Sequence, residues 1–252
     1  MKIKKVVLSV EHAGFELPYG FEISIPEKIL TSHRGYDKGA FEIGEAFEKV
    51  FKTGFFSQSL SRLVIEMNRS LNHPFLFSSY TKGLTKEEKK SLIDQYYFPY
   101  RDAVQSLISR KIKQEGSVVH LSLHTFTPIF KGIKRNAMIG LLYDSRRKRE
   151  RELALSWKEN LKKNLDIGYN VKLNYPYLGK ADGLTSYFRK IYKPSEYVGL
   201  ELEVNQALFS KRQAFFDLSI LVAEALKESL KTWEKNLVLK RSQQIPPADL
   251  PA

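Results

Sequence analysis

The chain has 252 residues, 42% hydrophobic and 12% aromatic, with no cysteine; disulfides, thiolate nucleophiles, cysteine-ligated zinc and iron–sulfur clusters are excluded. Lysine and arginine outnumber aspartate and glutamate 41 to 28, a net charge of +13, which can attract nucleic acid or an anionic substrate. No run approaches the roughly 18 apolar residues that span a bilayer, so no membrane partner is expected.

Much of the basic excess sits in short runs such as Lys86–Lys90 and Lys158–Lys163, interleaved with glutamates on predicted helices. That pattern reads as a solvated face, and nucleic acid is not the expected partner. Length and uniform composition predict one domain over residues 1–240, and a tail rich in Pro, Gln and Ala over 241–252 that is expected to be disordered. The chain opens directly into a strand pattern without a secretory signal, so a cytoplasmic location is expected.

Val6 to Val10 is a short β-branched run suited to a strand buried on both faces, and Glu11, His12 and Gly14 follow where it would end. Gly14 to Leu30 reads as a loop. Asp37 stands ahead of a helix running to about Phe51, with Ala40, Ile43, Ala46, Phe47 and Val50 as its apolar stripe. A carboxylate there also suits a plain helix cap. Phe55–Leu60 and Arg62–Met67 read as two strand segments, the second leading into Asn68-Arg69.

Thr85-Lys86-Glu87-Glu88 has capping-box spacing and starts a long helical region ended by Gly116, with Pro99 a predicted kink or break. Val118 to Phe126 is a strand on which His120, Ser122 and His124 share one face; His120 lies inside it and His124 at its exit. A strand over Asn136–Tyr143, a charged helix from Ser145 to about Leu165 and a loop over Asn174–Gly183 follow. Val198–Asn205 is a strand carrying Glu201 and Glu203 on one face, and a helix over Ala214–Trp233 closes the fold. Unpaired buried carboxylates are costly, so these two either face a polar site or meet cations. The alternation of strands and helices predicts an α/β sandwich with a mixed, mainly parallel sheet.

Three strand ends then bring His12, His124 and Glu203 to one edge, where open α/β sheets bind ligands. Two histidines and an early carboxylate make a nitrogen/oxygen zinc site with an open position, and a glutamate outside the ligand set can take a proton from water. Asn68-Arg69 offers a fork of donors for a substrate carboxylate. Each residue alone has a plainer role: Arg69 in a surface ion pair, Glu203 as partner of a cation, His124 as a capped strand end.

Six segments in this order resemble the N-formylglutamate amidohydrolase (deformylase) family, related to the zinc carboxypeptidases: Ser9–Gly14, His33–Asp37, Ile65–Arg69, Leu123–Phe126, Asn174–Gly179 and Glu201–Asn205. The resemblance implies a three-layer α/β/α sandwich, with His12 and His124 as zinc ligands and one zinc ion per chain. It implies that Glu203 is the general acid/base and that Asn68 and Arg69 grip a substrate carboxylate. Asp37 is the preferred third ligand, with Glu16 or Glu11 as alternatives. Arg62 or Arg69 is the candidate for stabilising the oxyanion, and the loop carrying Asn174 and Tyr177 would line the substrate pocket. Two positions depart from the family pattern: Glu66 stands where aspartate is expected, and Gln206-Ala207-Leu208 stands where arginine and Leu-Tyr are. They bear on the substrate more than on fold or chemistry. The expected activity is hydrolysis of the amide bond of a small N-acyl amino acid or short peptide. The alternatives are a carboxypeptidase- or deacylase-like hydrolase on peptide or cell-wall fragments, or a non-catalytic basic nucleic-acid- or anion-binding protein on the same fold.

Overall fold

A computed structural model describes residues 5–165 and 168–242. Its strands are β1 (Val6–Val10), β2 (Phe55–Ser57), β3 (Val118–Phe126), β4 (Ile129–Phe130), β5 (Ile133–Lys134), β6 (Ile139–Leu142), β7 (Val171–Leu173) and β8 (Tyr197–Asn205). The α-helices are α1 (Glu27–Leu30), α2 (Ala40–Phe51), α3 (Lys86–Leu92), α4 (Phe98–Glu115), α5 (Lys148–Asn164), α6 (Leu184–Ile191) and α7 (Arg212–Ser242). Six strands form one sheet in the order β2-β1-β3-β8-β6-β7. β1, β2, β3 and β8 are mutually parallel, while β6 pairs antiparallel with β8 and carries β7 beside it. β4 and β5 form a separate hairpin.

The two-residue period of the strands sorts the sheet into unlike faces. Val6, Leu8 and Val10 of β1, Val119, Leu121 and Leu123 of β3, and Val198, Leu200 and Leu202 of β8 belong to one apolar core. Against it pack α2, α5 and α7, which also touch one another. The opposite face holds Val7, Val118 and Tyr197, which pack with Tyr100, Val104 and Ile108 of α4 and Leu184 and Phe188 of α6. This makes the three-layer α/β/α sandwich. Between these apolar contacts the second face carries a buried polar row: Ser9, His120, Ser122, His124, Glu201 and Glu203. His120 shows how the row is satisfied, one ring nitrogen meeting Ser9 Oγ at 2.8 Å and the other Tyr197 Oη at 2.7 Å.

Several predicted elements differ in detail. Arg62–Met67 is a turn segment rather than a strand. Its backbone bonds run to loop partners: Val64 N–H donates to the Ser61 carbonyl and Glu66 N–H to the Leu76 carbonyl, each at 2.9 Å. Pro99 does not break its helix. It sits in the first turn of α4, preceded by a π-helical turn over Ile93–Tyr97, so the missing proline N–H falls where the ladder is already shifted. The capping box at Thr85 and Glu88 forms as predicted, and Gly116 ends α4 with φ of 72°. The predicted loop after Gly14 ends in the one-turn helix α1, and the closing helix is longer than predicted, taking in Arg241 and Ser242. The rest of the predicted tail lies outside the described residues. Among the described residues no helix is long and apolar enough to cross a membrane.

Candidate active site

β1 and β3 are parallel neighbours, so His12, just past the end of β1, and His124, near the end of β3, arrive at the same edge of the sheet. Asp37 comes to them from the segment before α2, its backbone N–H donating to the His12 carbonyl at 3.0 Å. Asp37 Oδ2 lies 3.3 Å from His12 Nδ1 and 3.0 Å from His124 Nδ1. One donor atom from each residue falls within 4.8 Å of the others, and all three residues are buried. Of the three carboxylates considered as third ligand, Asp37 is the one gathered here. Glu16 accepts from the Ser59 hydroxyl at an exposed position, and Glu11 stands behind His124.

The far side of each ring has its own carboxylate. His12 Nε2 meets Glu66 Oε1, and His124 Nε2 lies 2.6 Å from Ser122 Oγ and 3.1 Å from Glu11 Oε2. Each ring thus meets carboxylates on both sides, Asp37 at Nδ1 and Glu66 or Glu11 at Nε2, and carboxylates on the outer nitrogen are what orient metal-binding imidazoles. Burial opposes ionisation of Glu66, yet His12 and Arg62 outweigh it and hold its pKa near about 2. Burial likewise opposes charge on His124, but the hydrogen bonds with Asp37 and Glu11 raise its pKa well above the usual imidazole value. Arg62 bridges the group: Nη2 donates to Asp37 Oδ1 at 2.9 Å and presses on His12 Nδ1, while Nε lies 3.8 Å from Glu66 Oε2. Two imidazole nitrogens and one carboxylate oxygen, buried and flanked by a cavity, suit a borderline divalent ion such as zinc.

Glu203 stands directly across the β3–β8 pair from His124. Its Oε2 is buried without a hydrogen-bond partner, a costly arrangement for packing alone. Burial pushes its pKa up to about 8, with Asp37 and Glu201 adding to the shift and His124 and Arg62 opposing it. Its neighbour on the same face, Glu201, accepts from the Thr185 hydroxyl.

Both glutamates, the His-Asp-His group, Arg62, Asn68, Arg69 and Tyr177 line one cavity of about 190 Å³. Asn68 Oδ1 accepts from the Leu184 N–H at 2.6 Å, and Arg69 Nη1 donates to the Asp182 carbonyl at 2.6 Å. Behind them stands Arg101 of α4, 3% exposed, which the sequence reading passed over. Its Nη1 donates to the carbonyls of Met67 and Arg69 at 2.9 and 3.2 Å, and its guanidinium lies between the rings of Tyr97 and Tyr187. The signal was an arginine at the fourth position from Tyr97 in an otherwise apolar stripe.

Asn174, expected at the substrate, is turned away from the cavity wall. Its carboxamide oxygen accepts from the N–H groups of Tyr143 and Gly179 at 3.0 and 3.1 Å, closing the loop from a left-handed backbone with φ of 49°. It shapes the loop, whereas Tyr177 reaches the wall and touches Arg135.

No protein of curated function matches the chain. Among solved structures it is similar to a gene product from Agrobacterium tumefaciens, with 25% identity, a TM-score of 0.78 and coverage of 91% of this chain and 92% of that one. It is also similar to an N-formylglutamate amidohydrolase from Ralstonia eutropha, with 21% identity, a TM-score of 0.70 and coverage of 90% and 94%. The second likeness speaks to the fold alone. The family model for N-formylglutamate amidohydrolase matches residues 4–210, most of the chain and every segment of the site described above. The chain therefore belongs to the N-formylglutamate amidohydrolase family, hydrolases acting on amide C–N bonds.

Proposed function

We propose that the chain is a zinc-dependent amidohydrolase that removes the acyl group from an N-acyl amino acid or short peptide. The observation that carries this reading is the unpartnered Oε2 of Glu203, placed across one strand pair from His124 and lining the same cavity as the His12-Asp37-His124 group. His12 Nδ1, His124 Nδ1 and an Asp37 oxygen would hold the ion. When bound there, zinc supplies the positive charge that acidifies water and polarises a carbonyl.

The chain's own residues do the rest. In its ionised form Glu203 takes a proton from the attacking water and then, as the acid, hands it to the leaving nitrogen, two roles that a pKa near neutrality suits. Its buried setting keeps bulk water from competing for that proton. Arg69 pairs with the substrate carboxylate and Asn68 holds the neighbouring polar atoms, so the scissile bond is presented in one orientation. Arg62 spans Asp37 and Glu66, fixing the aspartate and adding positive charge near the developing oxyanion. With a cation held at Nδ1, Glu66 and Glu11 would accept the Nε2 protons and keep the two rings in that orientation.

The test pairs metal content with turnover. Wild type should carry about one zinc per chain, the stoichiometry of a single catalytic site, and His124→Ala should lose it. Glu203→Gln should keep the metal and lose hydrolysis of N-formyl and N-acetyl amino acids by about 10²–10⁴-fold, the usual contribution of a general acid/base. A wild type that takes up no divalent ion, or a Glu203→Gln variant as active as wild type, defeats the reading.

A further inference from the structure

The charges on the cavity wall are unevenly committed. Two arginines line it, Arg62 and Arg69. Arg62 is already engaged by Asp37 at 2.9 Å and faces Glu66 at 3.8 Å. Arg69 bonds a backbone carbonyl of Asp182, and among the described residues no carboxylate pairs with its guanidinium. One cation is thus free to meet one substrate carboxylate.

Beside Arg69 the wall turns acidic. Asp182 Oδ2 is held by the N–H and hydroxyl of Ser70 at 2.9 and 3.3 Å, and Glu201 Oε1 by the Thr185 hydroxyl. Those are neutral donors, and neither carboxylate meets a cation within salt-bridge distance among the described residues. Gly183 sets the spacing. A Cβ built there would lie 3.1 Å from Asn68 Oδ1 and 3.6 Å from Glu201 Oε1. Glu201 therefore stands next to the Asn68-Arg69 pair with no side chain at Gly183 to cover it.

We propose that this site selects N-acyl amino acids with a single carboxylate and a side chain that donates hydrogen bonds, an ammonium or a carboxamide, and discriminates against N-acylglutamate. The inference rests on the hydrolase reading above and deepens it. The α-carboxylate takes Arg69. A glutamate side chain would bring a second negative charge to Asp182 and Glu201 with no second uncommitted arginine among the cavity-lining residues to neutralise it, in a partly desolvated cavity where like charges are costly. A carboxamide of the same shape, or an ammonium, instead donates to those two carboxylates.

The experiment compares kcat/KM of the zinc-loaded enzyme on N-formyl-L-glutamate, N-formyl-L-glutamine and N-formyl-L-lysine, for wild type and Glu201→Gln. Glutamine and glutamate differ in charge and hardly in shape. Wild type should favour the glutamine compound by at least about 30-fold, since a site built to bond a polar group strongly rejects a mismatched one. Glu201→Gln should shrink that ratio by about 10-fold as one of the two repelling charges disappears. The lysine compound should lose most in the same variant. A wild type that prefers glutamate, or a ratio unchanged in Glu201→Gln, overturns the proposal. If none of the three is hydrolysed, it is the hydrolase reading that falls. Titration calorimetry of the same uncleaved compounds then still ranks them: tighter binding of glutamine than glutamate supports selection by charge, and equal, reversed or absent binding overturns it.

Discussion

A methyl group added at Gly140 would strike the carbonyl oxygen of Tyr175 at 1.8 Å, far inside the 3.0 Å below which Cβ contacts are essentially never found. The same Cβ would lie 3.3 Å from Glu203 Cβ. β6 cannot yield, because Gly140 is paired with Glu203 of β8 on one side and Lys172 of β7 on the other. The loop must give way instead, by more than about 1 Å, although the Asn174 side chain and its N–H to the Leu141 carbonyl tie it down. Tyr177 and Leu178, which reach the cavity, would move with it. A misplacement of about 1 Å at a substrate-positioning wall costs on the order of 10²-fold in rate, so Gly140→Ala should lower kcat/KM by about that factor. Overpacking of this kind costs about 1–3 kcal/mol, which for a chain of this size lowers Tm by roughly 3–10 °C. His12, Asp37 and His124 lie on other elements, so zinc content should stay at the wild-type level. The assays are steady-state kinetics, scanning calorimetry and metal analysis on one preparation. A variant with wild-type kcat/KM and Tm would refute the argument that the loop rests on this glycine.

Two other perturbations test the surroundings of the site. Glu66→Gln removes the carboxylate behind His12 Nε2 while leaving every proposed ligand in place, and competition with a chelator should show zinc held about 10–100-fold less tightly; unchanged affinity would mean the ring is oriented by something else. His120 supplies the pH test: burial lowers its pKa to about 4, with Glu11 opposing the shift. The unfolded chain then takes up a proton near pH 6.5 that the folded chain refuses until about pH 4, so stability is full above that window and is lost as pH falls through it, by at most about 3 kcal/mol. Calorimetry at pH 4.5 and 7 should show a smaller acid loss of Tm in His120→Gln than in wild type, and parallel losses would contradict the assignment.

The strands that build the site were readable because their sequences alternate. In β3 and β8 every second residue is apolar and packs on α2, α5 and α7, which leaves His120, Ser122, His124, Glu201 and Glu203 on the other face. Arg62–Met67 misled because Leu63, Val64, Ile65 and Met67 have the composition of a strand, yet they bury beside α4 as a folded turn. Composition reports that such a segment is buried and not which backbone partners it finds. Asp37 meets His12 across 25 positions of chain, a proximity that no local pattern encodes and that only the family resemblance indicated. Asn174 was recognisable as part of the loop, but the direction of its carboxamide depends on a left-handed backbone that the residue type permits without requiring.

Arg101 grips the Asn68-Arg69 segment through carbonyl oxygens and two aromatic faces, and among the described residues no carboxylate pairs with it. Ion pairs at a surface weaken as salt shortens the reach of charge, and they fail in acid once the carboxylate is protonated. A buried cation held by neutral dipoles and ring faces has no counter-charge for salt to screen and no partner for acid to discharge. The frame under Asn68 and Arg69 should therefore stay rigid from dilute buffer to strong brine. Ionic strength would be felt only at the moment an anion approaches Arg69 from solution.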